Sequence, residues 1–290
     1  IIINYMKKVF LFKNYHHKNQ EFLNYYCNEN FSLTENFNEA DIVFSANTFI
    51  PIEQYPNKKF IFGPHFSVFP NNVVQKFNNI HKNGIYIQPS QPSVNTWQQE
   101  FNFTKLPMKA IPFGVNTDKF KPDKDRRQNN SVLIYYKNRN PEEFKFLETF
   151  LKKKKIDYNV FSYLNKYDEK DFLTQLKKSK YGIWLGRHES QGFALEETLS
   201  CDIPLLVWNV KLRQQEWTYR HIYKNVKSPV SAIPYWDKKC GEFFYNSNEL
   251  EKTFDTFIEK VDTYEPRKFI LENLSQEKCL EKWNKLINDL

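Results

Sequence analysis

The sequence lacks several features that would narrow its class at once. Its four cysteines lie far apart and form no C-x-x-C pair, which argues against both a zinc site and a secreted disulfide scaffold. No stretch approaches the roughly 20 consecutive apolar residues of a membrane-spanning helix, and the amino-terminal stretch shows no signal-peptide pattern. We therefore expect separate, reduced thiols in a soluble, cytoplasmic protein.

Glycine is also scarce, with 7 residues in 290. No G-x-G-x-x-G follows the first apolar stretch, KVFLF (8–12). A dinucleotide-binding dehydrogenase needs these glycines because its backbone must approach a pyrophosphate closely. Their absence argues against a nicotinamide-dependent enzyme.

The charge balance is strongly positive, with 42 Lys and Arg against 34 Asp and Glu, a formal net charge of +8 and a pI near 9.0. Such an excess fits a partner that carries phosphate, whether a nucleotide, a nucleic acid or an anionic membrane surface. The net charge alone does not distinguish among these three kinds of partner. Part of the excess, at residues 152–155, lies at the end of a predicted helix, where cations meet the negative end of the helix dipole.

Short apolar runs alternate with helical patterns along the chain, which is typical of an α/β protein with parallel sheets. The predicted strands cover residues 8–12, 41–46, 59–63, 84–90, 109–114, 131–136, 157–164, 181–186 and 204–208. Amphipathic spacing predicts helices at 141–155, 247–261 and 266–290, the last broken near Ser275. The polar segment 116–130 separates two series of strands, so the domain boundary belongs there.

The stretch RHESQGFALEE (187–197) connects a predicted strand to a predicted helix that begins at Gly192. In open parallel sheets, ligands bind at the carboxyl ends of the strands, and a helix amino terminus favours anions. Glu189 and Glu197 flank this terminus, with Glu197 about five residues into the helix, roughly 7–8 Å along its axis. Two carboxylates with a diphosphate between them suit the hydroxyls at both ends of a nucleotide sugar.

Two motifs carry a family resemblance. ESQGFALEE (189–197) fits E-x7-E, and IPFGVNTDKFKP (111–122) is similar to an interdomain segment of the form I-P-N-G-V-D-x-x-x-F-x-P. In this order they resemble retaining glycosyltransferases of the GT-B fold, particularly glycosyltransferase family 4. The resemblance covers roughly residues 84–210.

This resemblance implies an α/β fold of two Rossmann-like domains facing each other across a cleft. The acceptor-side domain is residues 1–118 and the donor domain is residues 119–275, with helix 276–290 packing back on the first domain. The implied reaction transfers a sugar from a nucleotide diphosphate sugar to a hydroxyl of a glycan or other acceptor, with retention of configuration. It implies no cofactor and no obligatory metal.

The resemblance also assigns roles to the two acids and the turn between them. Glu197 resembles the acid that binds the ribose hydroxyls of the donor, and Glu189 the acid that contacts the transferred sugar. The backbone of four residues is expected to hold phosphate or sugar oxygens: Ser190, Gln191, Gly192 and Phe193.

Basic residues and one histidine complete the expected site. Family members hold the leaving diphosphate with an Arg and a Lys that follow the first strand of the second domain. This chain offers Lys137, Arg139 and Lys145 there, at a spacing that differs from the family's; we favour Arg139 and Lys137, because a fork of donors suits phosphate, over Lys145. His65, at the end of a predicted strand of the first domain, resembles a cleft-facing histidine that helps to orient the donor sugar.

The sequence does not identify the acceptor, and three segments bear on the question. Where family members carry a Gly-rich loop after the first strand, this chain has FKNYHHKNQ (12–20). Ser90 or Gln91 is a candidate acceptor contact, with a cap at Ser93 as the alternative role of that loop. The aromatic stretch 231–244 predicts either a sugar-stacking surface or an aromatic core.

Two other function classes remain open. One is a sugar- or nucleotide-binding module whose GT-B site has lost turnover, since the Gly-rich loop is missing. The other is a nucleic-acid-binding protein, favoured by the charge and the abundant aromatic residues. We favour the transferase, with a nucleotide sugar as donor and no nucleic acid, and its charge is compatible with peripheral contact to a membrane-linked acceptor.

Overall fold

The computed structural model describes residues 6–65, 83–101, 107–123, 125–163 and 168–290. The chain divides into two compact units, the first Ile1–Gly114 with Gln276–Leu290 and the second Val115–Ser275. Across the described ranges, every helix is too short or too polar to cross a membrane.

The first unit contains a parallel sheet and helices on the chain segments between its strands. Its strands are β1 (Lys8–Leu11), β2 (Ser32–Leu33), β3 (Ile42–Ser45), β4 (Lys59–Phe62), β5 (Gly84–Gln88) and β6 (Met108–Ala110). Its α-helices are α1 (His17–Asn30), α2 (Gln91–Phe101) and, from the end of the chain, α8 (Gln276–Asn288). The strand order across the sheet is β2-β1-β3-β4-β5-β6.

Helix α8 belongs to the first unit because of its apolar face. Its buried residues, Cys279, Trp283, Leu286 and Ile287, recur at the spacing of one helix face. The Trp283 ring lies 5.3 Å from the Phe113 ring and 5.8 Å from the Phe44 ring, and its indole N–H donates to the carbonyl oxygen of Pro112 at 2.9 Å. Removing such a buried ring costs about 3–5 kcal/mol, so α8 is a fixed part of this core.

The second unit repeats the arrangement. Its strands are β7 (Ser131–Lys137), β8 (Asn159–Ser162), β9 (Ser179–Gly186), β10 (Leu205–Trp208) and β11 (Gly241–Phe244). Its α-helices are α3 (Pro141–Lys153), α4 (Glu169–Lys178), α5 (Phe193–Ser200), α6 (Leu250–Lys260) and α7 (Pro266–Asn273). The strand order is β11-β10-β9-β7-β8, and all pairings are parallel.

Alternating residues of β7 show why helices cover both faces of this sheet. Leu133 and Tyr135 belong to a core that includes residues of α4, α5 and α7. Val132 and Ile134 belong to a second core, built with residues of α3 and α6. Because successive strand residues point to opposite faces, a fully apolar strand needs such a layer on each side.

Both sheets have the same topology. In each, the first strand lies between the second and the third, which gives the doubly wound order 2-1-3-4-5, extended by one strand in the first unit. The strand order therefore changes direction between β1 and β3 in one unit and between β7 and β9 in the other. The predicted α/β class with two Rossmann-like sheets is confirmed.

One local prediction needs correction, and some elements were not predicted. Helix α2 begins at Gln91, and the Val94 N–H bonds to the Ser90 carbonyl, so Ser93 lies inside the helix and does not cap it. The end of the aromatic stretch 231–244 forms β11, an edge strand beside β10. Helix α4 was not predicted.

The cysteines are all buried and unbridged, as the spacing indicated. Burial raises the pKa of Cys27, Cys201 and Cys240 to about 12. A thiol with such a pKa is not a nucleophile near neutral pH. These residues are therefore packing residues.

Candidate functional site

The point where the second sheet changes direction brings two predicted residues into contact. Lys137 ends β7 and is the register partner of Gly186, which ends β9. The chain then turns so that Glu189 lies over the end of β7, with Lys137 Nζ 2.8 Å from Glu189 Oε1 and side-chain exposures of 12% and 11%. Such a charge-assisted contact is strong at this burial. In a doubly wound sheet this is also the expected ligand-binding position.

The turn before α5 needs a glycine and places the helix start next to Glu189. Gly192 has φ 95° and ψ 48°, a left-handed conformation that disfavours other residues. A Cβ atom at Gly192 would be in ordinary contact, at 3.6 Å, with the Cβ of Glu189, so the backbone conformation is what requires glycine. The first turn of an α-helix has N–H groups without intrahelical acceptors, and its dipole favours negative charge. An anion near Glu189 would therefore meet this helix end.

The remaining turn residues differ in exposure. Ser190 is exposed, Gln191 is buried and Phe193 is half-buried. The Gln191 amide donates to Glu196 Oε2 at 2.9 Å, a buried contact that orders the turn. Glu196, which is fully buried, was missed from the sequence because the E-x7-E pattern selects its neighbour.

Glu197 is not a solvated surface acid. The residue is 4% exposed, and its charge contributes, after burial, to the raised pKa of Cys201. Carboxylates are rarely buried without a partner or a function. Such burial suits a carboxylate that binds a ligand hydroxyl.

The donors of Arg139 are occupied by groups of the protein. Its side chain is 0% exposed and forms a bidentate pair with Glu143, with Nε–Oε2 2.8 Å and Nη2–Oε1 2.9 Å. Its Nη1 donates to the carbonyl oxygens of Gly186 and Trp208 at 3.1 and 2.8 Å. Because all three nitrogens already have protein acceptors, Arg139 joins the ends of β9, β10 and α3. Lys145 is exposed on α3.

The site contains charged residues that sequence reasoning missed. Arg187 Nε lies 3.5 Å from Glu216 Oε1, and its Nη1 donates to the His188 carbonyl at 2.8 Å. His188 Nδ1 lies 3.6 Å from the other oxygen of Glu216. Arg213 is buried and acts electrostatically on both His188 and Glu216. With Lys137 and Glu189, these side chains form a cluster with more cations than anions.

Burial is the largest cause of the pKa shifts of His188 and Glu216. Burial lowers the pKa of His188 well below 6.5, and the charges of Arg187, Arg213 and Lys137 lower it further. Burial raises the pKa of Glu216, while Arg187 opposes this rise. His188 is therefore neutral near pH 7, and the positive excess of the cluster comes from its lysine and arginines.

His65 lies at the corresponding edge of the first unit. Its Nε2 accepts a hydrogen bond from the His16 N–H at 3.3 Å, and its backbone N–H bonds to the Ala46 carbonyl. The Tyr15 ring is 6.0 Å away. Burial lowers the pKa of His65 below 6.5, so its imidazole is neutral near pH 7.

Neutral polar side chains occupy the point where the first sheet changes direction. Asn14, after β1, donates from its amide to Asn47 Oδ1 and to Thr48 Oγ1, both after β3. The predicted segment 12–20 is thus a short loop followed by α1, which begins at His17. Hydrogen-bonding side chains, and no glycine, occupy this loop.

A concavity of about 520 Å³ lies elsewhere in the second unit. It is lined by Arg127, Asp202, Asp262, Arg267 and Lys268, among others. Asp202 follows the carboxyl end of α5, so this concavity is at the opposite edge of the sheet from Glu189. Acids balance its bases, and Arg267 already donates to the carbonyls of Phe120, Ser200 and Thr117. We therefore place the site at the Glu189 edge.

Comparison with known proteins extends the structural result. No protein-family model and no curated protein matches the sequence. Sucrose-phosphate synthase from Thermosynechococcus elongatus has a similar structure, with a TM-score of 0.54, 10% identity, and coverage of 92% of this chain and 76% of the synthase. AviGT4, a glycosyltransferase involved in avilamycin A biosynthesis, gives a TM-score of 0.52 and 11% identity over 97% of this chain and 96% of its own.

A third similar structure is TarM from S. aureus. It gives a TM-score of 0.52 and 15% identity, and covers 80% of this chain. Our chain spans only 56% of the TarM chain. Together with the two doubly wound sheets, these neighbours show that the fold is of the GT-B type.

Proposed function

We propose that this protein is a glycosyltransferase that moves a sugar from a nucleoside diphosphate sugar to an acceptor hydroxyl. The observation that carries the proposal is the Lys137–Glu189 pair at the direction change of the second sheet, beside the start of α5. The structural neighbours support it, since AviGT4 is a glycosyltransferase and a TarM variant was solved in complex with UDP and alpha-GlcNAc-glycerol. In the proposed reaction, as in glycosyltransferase family 4, configuration is retained and no obligatory metal takes part.

The leaving diphosphate lies, in this proposal, between the start of α5 and the cations Lys137 and Arg187. Lys137 exchanges its contact with Glu189 for a diphosphate oxygen, which frees the carboxylate for the sugar. Arg187 replaces Arg139, whose donors are bound within the protein. Fixed positive charge aimed at a departing anion is commonly the largest contribution to such catalysis.

The acids and His65 position the donor. Glu189 accepts hydrogen bonds from hydroxyls of the transferred sugar, and Glu197 accepts them from the ribose. A leaving phosphate oxygen takes the proton of the attacking acceptor hydroxyl as the new glycosidic bond forms on the same face. His65, neutral near pH 7, is the proposed sugar contact from the first unit.

A thermal-shift screen across nucleoside diphosphates and their sugars tests the proposal. A ligand at 100 times its dissociation constant stabilises the folded state by about 2.7 kcal/mol, so a true donor raises the melting temperature clearly. We expect one base to dominate, and the matching sugar nucleotide to be consumed when an acceptor is present. Absence of stabilisation by every nucleoside diphosphate contradicts the proposal.

A binding module that has lost turnover is the second candidate, and one observation favours it. Arg139 is sequestered by Glu143, and Lys137 is paired with Glu189. Such a module binds the nucleotide sugar but does not cleave it. Release of nucleoside diphosphate from the donor without acceptor, measured over hours with the Glu189→Gln variant as blank, separates the two.

A further inference from the structure

One segment of the second unit has charged residues inside and apolar residues outside. Residues 211–227, hereafter the 211–227 segment, follow β10. Arg213 and Glu216 are buried, whereas four large apolar side chains of the segment are exposed: Leu212, Trp217, Tyr219 and Ile222. Solvation alone favours the opposite arrangement, and clustered exposed apolar residues mark interaction surfaces.

The segment is held in place from its inner side. The Trp217 N–H donates to the Asn138 carbonyl at 2.8 Å, and Thr218 Oγ1 donates to Asn138 Oδ1 at 2.8 Å. The Tyr223 ring lies 6.2 Å from the His188 ring. These contacts fix the segment to the end of β7 and to the turn after β9, so its outer side chains form a defined surface.

Cations surround the apolar side chains. Lys211, Arg220, Lys224 and Lys227 are exposed, and the Arg220 guanidinium lies 3.8 Å over the Trp217 ring. The single acid of the segment, Glu216, faces inward to Arg187. The outer surface is therefore both apolar and positively charged.

The geometry points to an anionic lipid bilayer as the partner of the 211–227 segment. Trp and Tyr favour the membrane–water interface, Lys and Arg bind anionic headgroups, and aliphatic side chains enter the acyl boundary. Ring stacking on a glycan or a nucleic acid base gives no role to Ile222, which is 60% exposed. Docking on lipid goes beyond the proposed reaction; only its use in reaching a lipid-linked acceptor rests on that reaction.

Vesicle flotation of the full chain measures this docking without donor or acceptor. We expect binding to phosphatidylcholine vesicles that contain phosphatidylglycerol, weak binding to pure phosphatidylcholine, and loss of binding at high salt. The double variant Lys224→Glu, Lys227→Glu should weaken binding at least 25-fold, since each cation near an anionic surface contributes about fivefold. Ile222→Ser should weaken it about fivefold, because binding depends on buried apolar area.

Matched changes elsewhere in the second unit serve as controls. Lys152→Glu with Lys153→Glu, at the end of α3, reverses the same charge, and Leu271→Ser removes an apolar side chain that is 43% exposed on α7. Both controls should bind vesicles like the unaltered protein. Failure to bind anionic vesicles, equal loss in the controls, or retention of an oligonucleotide instead of vesicles would overturn the inference.

A second readout separates this inference from the proposed function. The 211–227 variants should keep the melting-temperature rise that a nucleoside diphosphate produces, because the altered side chains are exposed, whereas the segment contacts the Glu189 edge through Glu216 and Tyr223. If Ile222→Ser abolishes that rise while vesicle binding is unchanged, the segment serves the donor site and the lipid inference is wrong. If no nucleoside diphosphate binds but vesicle binding follows the pattern above, the lipid inference stands without the transferase.

Discussion

The two sheets of this protein have the same strand order but different chemistry where that order changes direction. In the first unit the side chains are amides, hydroxyls and neutral imidazole, as at Asn14, Thr48 and His65. In the second they are the ions Lys137 and Glu189 and their charged neighbours. The strand order thus determines where on each sheet a ligand can bind. The side chains at that position determine which charge a suitable ligand has. In the proposed reaction the diphosphate therefore binds at the second edge and not at the first.

The largest effect should come from removing the carboxylate at the charged edge. Glu189→Gln is expected to lower kcat by about 10²–10³-fold, the scale found when one transition-state contact is lost, with little change in KM. Steady-state assays of sugar transfer measure this. The exposed Glu142→Gln on α3 should behave like the unaltered protein, and normal turnover in Glu189→Gln would contradict the proposed role of this edge.

Arg139 should affect stability and not ligand binding. In Arg139→Met, Glu143 and the carbonyls of Gly186 and Trp208 lose their donor, so we expect the free energy of unfolding to fall by about 3 kcal/mol. Urea unfolding measures the loss. The exposed pair Arg127–Asp125 provides a control, since Arg127→Met should have no measurable effect. If Arg139→Met keeps full stability but loses nucleotide affinity, the diphosphate assignment reverts to Arg139.

Lys137 should show the opposite behaviour. Lys137→Ala is expected to weaken nucleoside diphosphate binding by at least tenfold, because a hydrogen bond to a charged group contributes about 1.5–3 kcal/mol. Isothermal titration gives the dissociation constant. Lys145→Ala on α3 is the matched control and should bind normally. Equal affinities for the two variants would show that the charged edge does not hold the diphosphate.

Lowering the pH should reduce the free energy of unfolding, because each sheet edge contains a buried histidine. His188 and His65 have folded-state pKa values below 6.5, so the unfolded chain binds protons first as pH falls. Stability is fully present above 6.5 and declines toward the folded-state pKa, by at most about 1.4 kcal/mol per pH unit for each histidine. His188→Gln should flatten this decline more than His65→Gln. Urea unfolding between pH 7 and 5 gives the slopes, and the reverse ranking contradicts this picture.

Most of the fold could be predicted from the sequence, because apolar runs and amphipathic helix faces are local patterns. The sequence also placed Glu189 at a strand end, since a strand, a Gly-containing turn and a helix follow one another within residues 181–200. It did not reveal the Lys137–Glu189 contact, which joins residues 52 positions apart and depends on the pairing of β7 with β9. Such pairing comes from tertiary packing and not from any nearby residue.

The pairing of Arg139 with Glu143 had a signal in the sequence, whereas the inward position of the missed cluster members had none. Arg139 and Glu143 are spaced i,i+4 at the start of a predicted helix, a spacing at which opposite charges pair. Arg213 and Glu216 lie in a segment of turns without apolar period, so no pattern indicates that they turn inward. Whether a charged side chain can be buried depends on the partners that the folded structure places around it.

The most direct measurement is a crystal structure with the nucleoside diphosphate that stabilises the protein best. The account predicts diphosphate oxygens at the start of α5 and within hydrogen-bond distance of Lys137 Nζ, with the Lys137–Glu189 contact broken and Glu197 on the ribose. A nucleotide bound in the concavity near Arg267, with the Lys137–Glu189 contact intact, would contradict it.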